Sequence, residues 1–226
     1  MEDKEKMKKE TVSMFEQMYA GLYKAKAEEG DAEAQKKLGD LYSLGQGVEK
    51  DYEKALSWYQ KSAEQGYVNA QYRLGYMYYN GEGVTKDYTE AASWHQKAAE
   101  QGDVNSQYTL GYMYHNGEGV DKDYVKAVNW LQMAAEQGHV ESHVELWKIY
   151  YESKDYSKTA NWCQKAAELG DAWSQYFLGV LYYNGVGVDE NNTEAARWYQ
   201  KAAEQGHAKA QSALGDMYLK GEVHEL

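Results

Sequence analysis

Chemistry needs particular side chains at particular spacings, and this chain offers few. His139 and His143 stand four apart, with Glu141 between them. On a helix the two imidazoles would share a face. A metal needs a third or fourth ligand, and H-x-E-x-H is not the H-E-x-x-H of a zinc protease. The two histidines therefore read as surface residues. Cys163 is the single cysteine and follows Trp162 in a helical stretch, so it reads as a buried, unreactive thiol. Glu82 and Glu118 lie in glycine-rich loops that lack the alternating acids of a calcium site. No Gly-Lys-Ser/Thr follows those glycines, as a phosphate loop would require. No nucleophile lies at an informative spacing from a base. The expectation is a non-enzyme with no catalytic residue, cofactor or metal.

The elements that would position any side chain show more. The chain has 226 residues and a net charge of -12. Such an acidic surface repels phosphates, which argues against nucleic acid and anionic membranes as partners. No run of about 18 apolar residues exists, so no membrane insertion is expected. Residues 1–10 are charged throughout and lack the apolar core of a signal peptide. With a lone cysteine, an internal disulfide is excluded, which fits a reducing compartment and a cytoplasmic location. The ending His224-Glu225-Leu226 matches a luminal retention tail at its last two positions only and reads as chance.

A unit recurs along the chain. Gln71-Tyr72-Arg73-Leu74-Gly75-Tyr76-Met77-Tyr78 returns 36 positions later as Gln107-Tyr108-Thr109-Leu110-Gly111-Tyr112-Met113-Tyr114. Full units span 31–66, 67–102, 103–138, 139–170 and 171–206, and a half-unit spans 207–226. Residues 1–30 read as a charged tail and a capping helix, with Ser13 and Glu16 in the form of a capping box. Its apolar residues Met14, Phe15, Met18, Tyr19, Leu22 and Tyr23 recur at helical spacing.

Each unit reads as two helices. In the second unit, helix A runs from about Asn69 to Asn80, with Ala70, Leu74 and Tyr78 in one stripe. Gly81-Glu82-Gly83-Val84 breaks it. Asp87 caps helix B, which runs to about Gln101 before Gly102. A glycine inside helix A costs about 1 kcal/mol against alanine. Its return as Gly39, Gly75, Gly111, Gly179 and Gly215 therefore predicts close approach of a neighbouring helix. Trp58, Trp94, Trp130, Trp162 and Trp198 occur once per unit and read as core. The fourth unit lacks the glycine loop and has Trp147 in place of the recurrent glycine. An indole there should force the helices apart or swing outward. In the fifth unit Asn191 replaces the usual aspartate cap.

The pattern Ala70, Leu74-Gly75, Tyr78, Gly81, Gly83-Val84, Asp87, Ala91, Trp94, Ala98-Ala99, Gly102 resembles the Sel-one-like repeat, a relative of the tetratricopeptide repeat. The resemblance covers residues 31–221. It implies an all-α fold, an α-solenoid in which antiparallel helix pairs form a right-handed superhelix with a concave face lined by the A helices. It also implies an adaptor for other proteins, often bacterial. Some cysteine-rich members are linked to β-lactam hydrolysis, but their paired cysteines are missing here.

A second stripe on helix A varies from unit to unit while the core positions stay fixed. It holds Tyr72, Tyr76 and Tyr79 in the second unit and Tyr108, Tyr112 and His115 in the third. Tyr151 lies on it in the fourth, and Trp173, Tyr176 and Tyr183 in the fifth. Tyrosine and tryptophan bury much area with few rotors and keep a polar tip, which suits a binding surface. The expected partner is a protein or peptide held in an aromatic groove. The expected state is a monomer. The alternative is a dedicated inhibitor or immunity protein that blocks a bacterial toxin or enzyme.

Overall fold

The computed structural model describes the backbone of residues 2–223 and the side chains of residues 14–223. The tail His224-Glu225-Leu226 lies outside them. Among the described residues the regular structure consists of helices: α1 (Glu2–Glu28), α2 (Ala32–Leu44), α3 (Tyr52–Glu64), α4 (Val68–Asn80), α5 (Tyr88–Glu100), α6 (Val104–Asn116), α7 (Tyr124–Glu136), α8 (Val140–Glu152), α9 (Tyr156–Glu168), α10 (Ala172–Asn184), α11 (Asn192–Glu204) and α12 (Ala208–Leu219). They fall into two compact units divided after Asp123, with α1 to α6 in the first and α7 to α12 in the second. Within each unit consecutive helices pack on one another, as expected of an α-solenoid.

Side chains and glycines end the helices where the spacing predicts. Asp87 accepts from the N–H groups of Thr89 and Glu90 at 2.9 and 3.1 Å, and Asn191 does the same for Glu194 at 3.0 Å. The loss of aspartate at Asn191 therefore leaves the cap intact. At the other end of α4, Gly81 takes φ 73° and its N–H reaches the Met77 carbonyl at 2.8 Å. A side chain at that backbone angle would be strained. The start of α1 differs from expectation. The helix runs unbroken through Ser13 rather than starting there.

The core repeats as the sequence does. Leu74, Leu110, Leu146 and Leu178 are fully buried, as are Ala91, Ala127 and Ala195 on the B helices. Each such leucine contributes about 1.5–3 kcal/mol of burial free energy. The recurrent glycine has a definite occupant. A Cβ added to Gly39 would lie 2.7 Å from the Tyr59 ring, one on Gly75 2.8 Å from His95, and one on Gly179 2.6 Å from Tyr199. In each case the space is filled by a ring from the paired helix B.

Two expectations, for the B-helix tryptophans and for Trp147, are corrected. The B-helix tryptophans are mostly half-buried, and only Trp198 is buried. Lysines three residues on lie over four of them, among them Lys97 at 3.8 Å from the Trp94 ring and Lys165 at 4.0 Å from Trp162, whereas Trp130 has Met133 at that place. These rings face water on one side, where a cation suits the π-face. On α1, Ala20, Ala27 and half-buried Tyr23 pack on α2, whereas Met14, Phe15, Met18, Tyr19 and Leu22 are exposed. Trp147 does not swing outward. It is 4% exposed, because α9 offers the small Cys163 where α3 and α11 carry Tyr59 and Tyr199.

Candidate functional site

The variable face of the A helices is divided between the two units. In the first, Tyr72 and Tyr76 on α4 have ring centroids 6.4 Å apart, and Tyr108 and Tyr112 on α6 repeat the pair at 6.5 Å. Tyr76 is 40% exposed, and Tyr72, Tyr108 and Tyr112 are half-buried. Burial, and then the nearby Asp103 carboxylate, push the Tyr72 phenol above its ordinary pKa. It is therefore a neutral hydroxyl at physiological pH. Arg73 lies between these rings and the next loop. Its guanidinium is 5.3 Å from the Tyr76 centroid and donates to Glu82 at 2.8 Å.

In the second unit, Trp173 and Tyr176 on α10 lie 5.5 Å apart, and His207 stacks on Tyr176 at 4.8 Å. Lys209 stands 5.7 Å from the Trp173 ring. Tyr151 on α8 meets Tyr156 and Phe177 at 5.8 and 5.3 Å. Trp173 and Tyr151 are exposed by 39% and 45%. Both patches thus pair an aromatic surface with one cation.

Three sequence-predicted site residues sit differently. The Tyr79 hydroxyl donates to Glu118 at 2.7 Å, and that of Tyr183 donates to Glu222 at 3.1 Å. Each ties a helix A to the loop of the following repeat. Burial and then Glu118 hold the Tyr79 phenol far above its usual value. His115 is buried at 8% exposure and presents little surface. From sequence Glu118 is considered only as a calcium ligand and Glu222 not at all, although their spacing of 39 residues from Tyr79 and Tyr183 is the same in both cases.

The residues first considered for chemistry have structural roles. His139 caps α8, its Nδ1 accepting from the Ser142 N–H at 3.3 Å. His143 is buried, contacts the His139 carbonyl through Nδ1 at 2.9 Å and packs edge-on to Trp162. His143 is not the surface residue expected, because Trp162 of α9 packs on it, and His139 is half-buried. Cys163 is fully buried, donates to the Ser174 carbonyl at 3.3 Å, and its thiol is pushed up by burial. Among the described residues, no group of three His, Cys, Asp or Glu could hold a metal ion. No described helix is long and apolar enough to cross a membrane.

A second surface follows from the shortened fourth unit. Elsewhere a loop glycine rests on the first residue of the preceding helix B: Gly83 on Tyr52, Gly119 on Tyr88, and Gly187 on Tyr156. The fourth unit has no such loop, and Tyr124 is 49% and Val125 71% exposed, against 38% for Tyr156 under Gly187. An open groove of about 430 Å³ results, lined by Tyr124, Val125, Val128, Ile149, Tyr150 and Ser153.

Comparison with known proteins accounts for this architecture. The Sel1 repeat model matches residues 32–67, 68–103, 104–139, 150–171, 174–207 and 208–223, omitting most of the irregular α8. The chain is similar to the crystal structure of c5321, a protective antigen of uropathogenic Escherichia coli displaying an SLR fold. Identity is 42% and the TM-score 0.82, over 89% of this chain and 44% of that one, so this chain spans less than half of the antigen's length. It is also similar to a Sel1 repeat protein from Oxalobacter formigenes, with 37% identity and a TM-score of 0.69 over 85% and 80% of the two chains. No curated protein matches the chain. The repeated glycine slot, the capped helix pairs and the six matched segments together make this chain a member of the Sel1 repeat family.

Proposed function

We propose that the chain is a non-catalytic adaptor that holds a protein or peptide partner against the aromatic face of its A helices. The observation that carries this reading is the exposure of Tyr76, Tyr151 and Trp173 at positions that vary between repeats, beside core leucines that recur at Leu74, Leu110, Leu146 and Leu178. Exposed aromatics on a rigid helical frame lose little entropy on binding. Arg73 and Lys209 beside them suit a segment with acidic or carbonyl groups. Sel1 repeat proteins are in general interaction scaffolds, which supports the class of function. The single buried thiol supports a cytoplasmic place of action.

The test compares partners captured from the source cell by wild type and by two variants, Tyr76→Ala/Tyr112→Ala and Tyr151→Ala/Trp173→Ala. Circular dichroism first verifies that both fold. A partner lost by either variant places binding on that patch. Equal capture by all three refutes the reading and directs attention to the Tyr124 groove. The net charge of -12 favours a second reading, the blocking of a basic toxin or enzyme. It predicts one stoichiometric basic partner whose activity is lost in the complex.

A further inference from the structure

The fourth unit leaves open a place that other units fill with their own chain. In the second, third and fifth units the loop after helix A lies across the first turn of the preceding helix B. Gly83, Gly119 and Gly187 take φ of 71°, 70° and 74° there. A Cβ added to Gly83 would lie 2.7 Å from Tyr52, and one on Gly119 or Gly187 would overlap the carbonyl of Tyr88 or Tyr156. Only glycine tolerates both the angle and the contact. The next residue is a valine each time, Val84, Val120 and Val188. Val84 packs on the core that α3 and α4 share, and Val188 on the core that includes α9 and α10.

The corresponding place lies between α7 and α8. There only Ser153 and Lys154 join α8 to the cap Asp155, and an open groove stands where the loop would be. Val125, Val128, Ile149 and Tyr150 line it beside Tyr124. Val125 takes the position of Glu53, Thr89, Ser157 and Thr193 on the other B helices. That position is exposed in every unit, and only here is it apolar. A water-facing position calls for a polar residue, so a valine at the edge of an apolar groove points to cover from outside the chain. A second copy offers no spare loop among its described residues. Gly47 rests on Glu16, and Gly83, Gly119 and Gly187 are seated as above.

We propose that the groove between α7 and α8 takes a segment of a partner protein in which a glycine is followed by an aliphatic residue. The glycine lies on the backbone at Tyr124 and Val125, and the aliphatic side chain enters between Val128 and Ile149. The partner thereby completes the fourth repeat as the absent loop would. This site is separate from the aromatic face of the A helices and does not rest on the adaptor reading of that face.

The probe is a peptide with the sequence of residues 116–123, Asn-Gly-Glu-Gly-Val-Asp-Lys-Asp. Methyl NMR of the full chain at millimolar peptide should show shifts at Val125, Val128 and Ile149. A peptide with alanine for its second glycine, or aspartate for its valine, should leave those methyls unmoved. In the protein, Val125→Glu copies Glu53 at an exposed position, so the fold is kept, and it should weaken the peptide several-fold. Replacing Ser153-Lys154 by Gly-Glu-Gly-Val-Asp-Lys restores the full-length unit. This graft should seat its own loop in the groove and abolish the shifts. Wild-type methyls that do not move overturn the inference. So do shifts of equal size in the Val125→Glu protein, or shifts that the alanine peptide reproduces.

Discussion

Trp147 on α8 donates its indole N–H to the Ser174 hydroxyl on α10 at 3.0 Å, as the His95 ring of the second repeat meets Ser106 at 3.1 Å. The indole also stacks on Phe177 at 4.5 Å, where Arg73 lies over Tyr59 in the first repeat. One slot is thus filled from opposite sides. Most repeats use glycine on helix A and a large residue on helix B; the fourth uses Trp147 and Cys163.

This exchange predicts strong coupling. Trp147→Gly alone should cost about 3–5 kcal/mol, as a large core truncation does. Cys163→Tyr alone should overpack the slot and cost about 1–3 kcal/mol. The double variant should recover more than 1 kcal/mol of their sum, since residues in contact are not additive. Urea unfolding of the four proteins measures the cycle, and additive costs would refute the shared slot.

His95 gives the fold an acid-sensitive step. Burial lowers its pKa to about 4, from 6.5. Between those values the unfolded chain binds more protons than the folded one, so stability falls as pH drops from about 6.5 to 4. The loss is on the order of 3 kcal/mol. His95→Tyr, which copies Tyr59 and Tyr199, should fold and lose this part of the acid dependence. Melting temperatures of both proteins across that range decide the matter; parallel curves would exclude His95 as the cause.

At high pH the tyrosines act in the opposite direction. Burial raises the Tyr59 phenol to about 12, and Tyr79 and Tyr199 shift the same way for the same leading reason. Above pH 10 the unfolded chain releases these protons first. Stability should therefore decline from pH 10 and be lost as pH rises through the folded values. Tyr59→Phe should flatten the profile between about pH 10 and 12, read as the unfolding midpoint in denaturant.

Tyr79→Phe removes the link between α4 and the loop at Glu118. A hydrogen bond to a carboxylate supports a cost of about 1–2 kcal/mol, discounted for partial exposure. Hydrogen exchange should show faster opening of residues 117–123 with α4 unchanged. An unaltered loop would mean that Gly119 alone anchors it.

The sequence by itself determined the helix pairs, their caps and the recurring core. Asp87, Gly81 and Leu74 act locally or within one pair, so their spacing is enough to read them. The glycine at each Leu-Gly step was legible as a close approach, but its occupant was not. Tyr59, His95 and Tyr199 lie 20 residues on, on another helix, and only packing brings them over Gly39, Gly75 and Gly179. Tertiary structure alone decided that Trp147 is buried, because its fit depends on the size of Cys163 across the helix pair. It also decided which tyrosines are surface. Tyr76 and Tyr79 are three apart on one helix, yet one faces solvent and the other is held by a carboxylate from the following repeat. The physical reason is that exposure belongs to the neighbours that cover a side chain, and those neighbours come from other repeats.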